Sequence, residues 1–213
     1  MKIAVTGGIG SGKSFVCRML EARGISIYYC DVEAQRIMAS QPDVQAELKD
    51  LVGPDVYLPE NTPSPFGKGR CINKPLLSAF MHRGAEAAAQ VNAIVHPRVA
   101  ADFMASGKDW MECAILFESG FDRYADFIVS IACPLPERIR RITLRDHCDR
   151  ETALRWIAMQ TTEEERCRRA HHIIHNDGLQ PLPPQIDRLL DIIAGRRGPE
   201  LTASLLQSNH SDP

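Results

Sequence analysis

A glycine-rich loop near the start of the sequence has the residue types that hold the phosphates of a nucleotide. Residues Gly7 to Ser14, GGIGSGKS, match the pattern GxxxxGK followed by Ser or Thr. Glycine tolerates the positive φ angles that turn successive backbone N–H groups towards an anion. Lys13 then reaches the β- and γ-phosphates, and the Ser14 hydroxyl offers Mg²⁺ an oxygen ligand. The pattern therefore predicts a phosphate-binding loop.

The elements around the loop must be a strand before it and a helix after it. Residues 2–6 are typical of a short buried strand, and residues 13–23 have apolar side chains at helical spacing. Further strands are predicted at 25–29, 110–117, 127–132 and 172–175. Helices are predicted at 32–39, 85–95, 97–106, 136–145, 151–159, 163–170 and 183–194. This alternation predicts an α/β fold of the P-loop NTPase type, with three layers and a parallel sheet.

Composition and charge exclude several other classes of protein. The 213 residues carry a formal net charge of −2 and are 44% hydrophobic, which argues against a wholly disordered chain and against a globally basic nucleic-acid binder. No apolar run approaches the ~20 residues of a membrane span, and a strand-like segment directly after Met1 leads us to expect no signal peptide. The seven cysteines are scattered, without a CxxC pair, so a cytoplasmic protein without disulfides is expected.

Three classes of P-loop protein compete for the loop. A GTPase carries NKxD, but the nearest match, Asn73-Lys74-Pro75-Leu76, lacks the aspartate. A motor or transport ATPase has an apolar strand that ends in Asp-Glu, and the sequence has none. A small-molecule kinase remains, and such an enzyme needs a group that takes the proton of the acceptor hydroxyl and a lid that excludes water.

Asp31 is the candidate for the proton acceptor because it directly follows the second predicted strand. Ligands of open α/β sheets bind at the carboxyl edge of the strands, and a carboxylate there can deprotonate a hydroxyl. The alternative is that Asp31 caps a helix that begins at Val32.

Other charged residues are candidates for the lid and the metal region. Arg138, Arg141 and Arg145 recur on one face of a predicted helix, where guanidinium groups would grip phosphoryl oxygens; the alternative is a solvated helix face. Glu118 ends the predicted strand 110–117 and could stand near Mg²⁺ or the acceptor; the alternative is a surface carboxylate.

These motifs, in this order and spacing, resemble the dephospho-coenzyme A kinase family over residues 2–194. The matching segments are Thr6–Ser14, Asp31, His96-Pro97, Leu116-Phe117-Glu118, Arg141 with Arg145, Gln160, and Asn176 with Gly178.

The resemblance implies ATP-dependent phosphorylation of the 3′-hydroxyl of dephospho-coenzyme A, the last step of coenzyme A biosynthesis. The implied catalytic residues are Asp31, Lys13 and Arg141. The residues implied to bind ATP are Gly8, Gly10, Ser11, Gly12, Lys13, Ser14, Phe15, Arg145 and Asn176. Those implied to bind the acceptor are Asp31, Lys74, His96 and Glu118, and Ser14 is implied to hold Mg²⁺. A kinase for another small acceptor, such as a nucleoside monophosphate, and a non-catalytic nucleotide-binding regulator remain as alternatives.

The resemblance also implies the organisation of a single kinase domain. The region 53–106, which opens with a Pro- and Gly-rich segment at 53–74, interrupts the strand–helix alternation between the second and third strands. We therefore expect a P-loop core at 1–52, 107–135 and 155–195, a helical acceptor-binding lobe at 53–106, and an arginine-bearing lid at 136–154. Residues 196–213 are expected to form a flexible tail. The expected partner is the small-molecule substrate, with no nucleic acid and no membrane, and the chain is expected to be a monomer or weak oligomer.

Several positions depart from the family pattern, among them His171 and His172, which stand where it often has an acidic residue before the last strand. Phe15 replaces a hydroxyl residue, so only its backbone N–H is left for the α-phosphate. Tyr29 stands where the family often has an aspartate, and Lys74 stands where it has an arginine. Lysine pairs with phosphate only as a point charge, so we expect altered substrate affinity.

Overall fold

The computed structural model describes residues 1–67 and 69–197, and the contacts within the chain divide it into two compact units. The first unit comprises residues 1–27 and the chain from Ala114 onward; the second is the continuous segment Tyr28–Cys113. Residues 28–52 and 107–113, which were expected in the P-loop core, thus lie in the second unit together with residues 53–106. Of the expected tail, residues 196–197 form the last turn of a helix, and residues 198–213 lie outside the described residues.

The secondary structure alternates between strands and helices along the first unit and is mainly helical in the second. The first unit holds β1 (Ile3–Thr6), α1 (Lys13–Glu21), β4 (Phe127–Ala132), α6 (Leu135–Asp146), α7 (Arg150–Ala158), α8 (Glu163–Arg169), β5 (His172–His175) and α9 (Leu182–Arg197). The second holds β2 (Ile27–Tyr29, whose first residue belongs to the first unit), α2 (Cys30–Ser40), α3 (Pro42–Val52), α4 (Lys74–Met81), α5 (Ala85–Ala105) and β3 (Trp110–Glu112).

The strands form one sheet in the order β2-β3-β1-β4-β5. Strand β4 pairs in parallel with β1, with Val5 opposite Val129, and with β5, with Ile173 opposite Ser130. Every residue of β1 and β4 is buried, as expected for parallel strands that are covered on both faces. The predicted α/β fold with a parallel sheet is confirmed.

The helices of the first unit position the glycine loop. Helix α1 buries Val16, Cys17 and Leu20 and packs against α9. Helices α6 and α7 pack together around Ile142 and Ala153, and Ile9 of the glycine loop packs against the same cluster. The loop is therefore fixed on one side by the helix that follows it and on another by the predicted lid.

The second unit is organised around α5. This helix packs against α2, α3 and α4 and buries a stripe that includes Val91, Val95 and Phe103. The Tyr28 hydroxyl donates to the Asp102 carboxylate at 2.8 Å. The same carboxylate accepts a hydrogen bond from the Arg36 guanidinium at 2.8 Å.

The prediction that a helix ends at His96 was wrong. Helix α5 continues through Pro97, although proline has no N–H and normally breaks a helix interior. Val95 and Val99, on either side of the proline, are buried, and this packing holds both halves in one helix.

Three other predicted boundaries were also wrong. The third strand ends at Glu112 and does not reach residue 117, because residues 114–120 form turns in which Phe121 N–H donates to the Leu116 carbonyl at 3.0 Å. The second strand begins at Ile27, and the helix after it begins at Cys30 with Tyr29 as its N-cap residue. Asp31 is therefore not a helix cap.

Candidate phosphate-binding site and its family

The glycine loop adopts the conformation that phosphate binding requires. Gly10 (φ 79°) and Gly12 (φ 89°) lie in the left-handed region that other residues avoid. Gly12 is the N-cap residue of α1, and no side chain of residues 1–67 and 69–197 caps this helix. The first N–H groups of α1 and the positive end of its dipole are thus directed at the space above the loop, where an anion is favoured.

The lysine and the serine that end the motif start α1. The Lys13 ammonium donates to the Gly7 carbonyl at 2.8 Å, so its side chain spans the loop. Ser14 is exposed at the second position of the helix. Its hydroxyl is the hard oxygen donor that Mg²⁺ prefers, and Mg²⁺ usually takes few protein ligands besides phosphates and water. These residues fit the nucleotide phosphates and the ion.

Arg141 and Asn176 clamp the second half of the loop. The Ser11 carbonyl accepts hydrogen bonds from Asn176 Nδ2 at 2.7 Å and from Arg141 Nη1 at 3.2 Å. Arg141 Nη2 donates to the Asn176 carbonyl at 3.1 Å, and its Nε donates to Glu137 at 2.8 Å. A Cβ atom at Gly12 would overlap Asn176 Nδ2, so glycine is needed here for the clamp to close.

Glu137 orients the arginine of this clamp. Hydrogen bonds from Arg140 and, to a smaller extent, from Arg141 lower the pKa of Glu137 to about 2, against the opposing effect of desolvation. Glu137 is therefore ionised at neutral pH and holds the Arg141 guanidinium at the loop.

Three side chains hold the first half of the loop, and the sequence analysis missed Arg166 among them. Gln160 Oε1 accepts from Ile9 N–H at 2.7 Å, and Arg138 Nε donates to the Ile9 carbonyl at 2.9 Å. Arg166, from α8, is 1% exposed and lies with Arg138 against Gly8. Gln160 was noted only as part of the family pattern, and Arg166 stands in a run of charged residues that is typical of a solvated face.

Two predicted nucleotide-binding residues, Arg145 and Phe15, have described side-chain contacts with residues outside this clamp. Arg145 is exposed and pairs with the neighbouring Asp146 at 2.7 Å. The Phe15 side chain is half-exposed, with the Arg18 guanidinium 5.7 Å from its ring centre. Of the arginine stripe, Arg138 and Arg141 thus contact the loop, whereas Arg145 faces Asp146.

Glu118 does not end a strand, contrary to the prediction. It lies in the turns after β3, where its Oε1 accepts from Thr161 N–H at 2.7 Å. The carboxylate that ends β3 is Glu112, which is buried. The apolar residues 115–117 misled the prediction because Leu116 and Phe117 enter the core from a turn.

The remaining predicted site residues belong to the second unit. Asp31 is exposed at the second position of α2, and its carboxylate makes no hydrogen bond or ion pair within residues 1–67 and 69–197. Lys74 is the exposed first residue of α4, whose N-cap is Asn73. His96 is half-buried within α5.

Comparison with known proteins assigns the chain to a family. The family model described as dephospho-CoA kinase matches residues 1–181. A dephospho-CoA kinase of Bacteroides fragilis is 41% identical over 197 residues, which cover 89% of this chain and 91% of the relative. One from Salinibacter ruber is 33% identical and covers 83% and 88% of the two chains. The chain belongs to the dephospho-CoA kinase family.

Solved structures agree with this assignment at the level of the fold. The crystal structure of TT1252 from Thermus thermophilus has a TM-score of 0.73 and 26% identity, and the match covers 93% of this chain and 98% of the other. A dephospho-CoA kinase from Campylobacter jejuni has a TM-score of 0.62 at 21% identity and covers 93% and 100%.

Membership of the dephospho-CoA kinase family decides between the classes that the sequence left open. The chain is a kinase, a phosphotransferase, and the resemblance seen in its motifs is confirmed. In the part of the chain that the structure describes, no helix is both long and apolar enough to cross a membrane. Within those residues, no group of three or more His, Cys, Asp or Glu side chains could hold a metal ion.

Proposed function

We propose that the chain transfers the γ-phosphoryl group of ATP to the 3′-hydroxyl of the dephospho-coenzyme A ribose. The observation that carries this proposal is the clamped glycine loop, in a chain whose family is named for that substrate. The loop offers N–H groups and Lys13 to the phosphates, and Arg141 adds a second cation at Ser11. Phosphoryl transfer depends mainly on positioning and on stabilising charge, which is what these groups supply.

Asp31 is proposed as the general base. Its exposed carboxylate, at the start of α2 just after β2, has no partner among the described residues that would hold it away from a substrate hydroxyl. It would accept the proton of the 3′-hydroxyl as the oxygen attacks the γ-phosphorus and the bond to the β-phosphate oxygen breaks. General bases of this kind contribute ~10²–10⁴-fold to the rate.

Lys13 and Arg141 are proposed to stabilise the charge of the transferred group. Both side chains are held at the loop by backbone carbonyls, Lys13 by Gly7 and Arg141 by Ser11 and Asn176. Ser14 is proposed to ligate Mg²⁺, which neutralises phosphate charge when it is bound. Gly8, Gly10, Ser11, Gly12, Phe15, Arg145 and Asn176 remain our proposed contacts to ATP.

The acceptor is proposed to bind to the second unit, within the lobe 53–106. Lys74 and His96 are its proposed contacts there, and Glu118 of the first unit remains a proposed contact. Lys74 is exposed at the N-terminus of α4, where a phosphate group would meet both its charge and the helix dipole. We propose a cytoplasmic enzyme, which its seven free cysteines support, acting as a monomer or weak oligomer.

A coupled assay with ATP, Mg²⁺ and dephospho-coenzyme A tests this proposal, with AMP and adenosine as competing acceptors. Saturable turnover that is strongest with dephospho-coenzyme A is expected. Preferred turnover of AMP or adenosine would contradict the proposed acceptor. ATP binding without turnover of any acceptor would contradict catalysis and favour a regulatory protein.

A further inference from the structure

Two arginines without full hydrogen bonding are buried together at the glycine loop. Arg138, from α6, is 3% exposed, and Arg166, from α8, is 1% exposed. Within the described part of the chain, each guanidinium makes one hydrogen bond to a backbone carbonyl: Arg138 Nε to Ile9 and Arg166 Nη1 to Thr161. Fully buried arginine is rare because an ionised side chain loses much of its hydration energy.

The other nitrogen atoms of this pair lack protein partners. Among the described residues, Arg138 Nη2 and both Nε and Nη2 of Arg166 are buried without a hydrogen-bond partner. A buried charged donor that lacks an acceptor destabilises the folded chain. Burial lowers the pKa of both guanidinium groups, and the charge of Arg138 further lowers that of Arg166. The arrangement is therefore costly without an added anion.

The nearby carboxylates do not accept hydrogen bonds from these buried guanidinium nitrogens. Glu163 Oε2 lies 3.8 Å from Arg138 Nη1, which is too long for a hydrogen bond, and accepts instead from Cys133 N–H at 3.1 Å. Glu118, which attracts Arg166 electrostatically, accepts from Thr161 N–H. Both carboxylates therefore offset charge without bonding the free Nη2 groups.

The free groups converge on the phosphate-binding loop. A Cβ atom built on Gly8 would overlap Nη2 of Arg138 and Nη2 of Arg166 alike. Two unpaired guanidinium nitrogens are thus directed at the same loop residue, whose lack of a side chain lets them approach. Guanidinium groups match phosphate oxygens in charge and geometry.

We propose that Arg138 and Arg166 are phosphate-binding residues of the nucleotide site, with their free Nη2 groups bonding phosphoryl oxygens of ATP held by the glycine loop. This inference rests on the proposed binding of ATP. The pair holds the Gly8–Ile9 side of the loop, while Arg141 holds the Ser11–Gly12 side.

The test compares Arg166→Met and Arg138→Met with the control Arg168→Met. Arg168 lies on the same helix as Arg166, but its side chain is 70% exposed and pairs with Glu165. Calorimetry of the full chain gives Kd for ATP, and thermal unfolding without ligand gives the stability of each variant. We expect ATP binding at least tenfold weaker in Arg166→Met and Arg138→Met, and unchanged in Arg168→Met. Arg166→Lys, which keeps the charge, should recover part of the affinity and serves if a Met variant does not fold.

A structural brace would give a different result. If Arg166→Met and Arg138→Met bind ATP as tightly as the unchanged chain, the inference is wrong. It is also wrong if affinity falls only together with the unfolding temperature and Arg166→Lys recovers none of it. Turnover is measured separately: a chain that needs Arg166 for ATP but prefers another acceptor would contradict the proposed function and support this inference.

Discussion

The Ser11 carbonyl shows how side chains outside the loop prepare the groups inside it. Its oxygen accepts from both Arg141 and Asn176. Because the peptide group is planar and trans, a carbonyl fixed on one side directs the N–H of Gly12 to the other side. The clamp therefore orients the Gly12 N–H, a donor for phosphate, and it depends on residues that lie 130 and 165 positions from Ser11 in the chain.

Removing the Arg141 side chain should impair this preparation and the charge it supplies. We expect Arg141→Ala to lower kcat at least tenfold, as loss of a preorganised donor commonly does. Steady-state kinetics with ATP and dephospho-coenzyme A measures this. Arg140→Ala is the matched control. The Arg140 side chain, next to Arg141 in the sequence, is 60% exposed and pairs only with Glu137 in the described contacts. Equal rates for the two variants would remove Arg141 from the proposed mechanism.

Asp31 should affect chemistry and leave nucleotide binding intact. We expect Asp31→Asn to lower kcat by ~10²-fold or more, because an amide cannot accept the proton of the acceptor hydroxyl. The Kd for ATP should stay within about twofold, which calorimetry measures. Asp50→Asn is the control, because Asp50 is an exposed residue on α3 of the same unit, and this change should leave kcat unaltered. Near-normal turnover by Asp31→Asn would refute its assignment as the base.

At the level of elements, α6 carries a pH-dependent contribution to stability. The pKa of Glu137 is about 2, below its ordinary value of 4.5, so its ionised form stabilises the fold above pH 4.5 and that stabilisation is lost as pH falls towards 2. We expect Glu137→Gln to lower stability by about 0.5–1 kcal/mol at pH 7, because the pair is partly exposed. The difference in unfolding temperature from the unchanged chain should shrink between pH 4.5 and 2. The control is Glu151→Gln on α7, where the Glu151 side chain is 81% exposed. Its unfolding temperature should differ little from that of the unchanged chain at any pH.

Helix α5 makes a second prediction at this scale. Pro97 removes one backbone hydrogen bond from the helix interior, so Pro97→Ala should stabilise the chain by about 1–3 kcal/mol. Pro75 lies in the first turn of α4, where proline is tolerated, and Pro75→Ala should change stability by less than ~1 kcal/mol. Denaturant unfolding of both variants measures this. A destabilised Pro97→Ala variant would show that the surrounding core requires the proline geometry.

Periodicity predicted elements well where local pattern and packing agree. The strand over residues 127–132 was predicted with its observed bounds, because a short apolar run between turns becomes a buried parallel strand. The same pattern failed at Leu116, whose burial comes from a turn. Arg166 shows the opposite case: nothing in a run of charged residues signals that one guanidinium is buried, since its burial depends on Gly8, far away in the chain.

At the level of the whole molecule, the chain divides its predicted tasks between two units. The first contains the glycine loop, Arg141 and Asn176, whereas the second, one continuous segment, contains Asp31, Lys74 and His96. The proposed nucleotide-side residues follow mostly from one local motif, the glycine loop. The proposed acceptor side has no comparable motif, because its residues Asp31, Lys74 and His96 stand singly on α2, α4 and α5.

This division predicts distinct protection patterns in hydrogen exchange. ATP with Mg²⁺ should slow amide exchange in the first unit, mainly in residues 8–15 and in α6, because bound phosphates bond loop N–H groups and order the clamp. Dephospho-coenzyme A should slow exchange chiefly in the second unit, around the start of α4 and in α5. Mass spectrometry of peptic peptides measures both, with adenosine as the control ligand that lacks phosphate. Protection by dephospho-coenzyme A confined to the first unit would contradict the proposed acceptor lobe, and unchanged exchange at residues 8–15 with saturating ATP would contradict the phosphate loop itself.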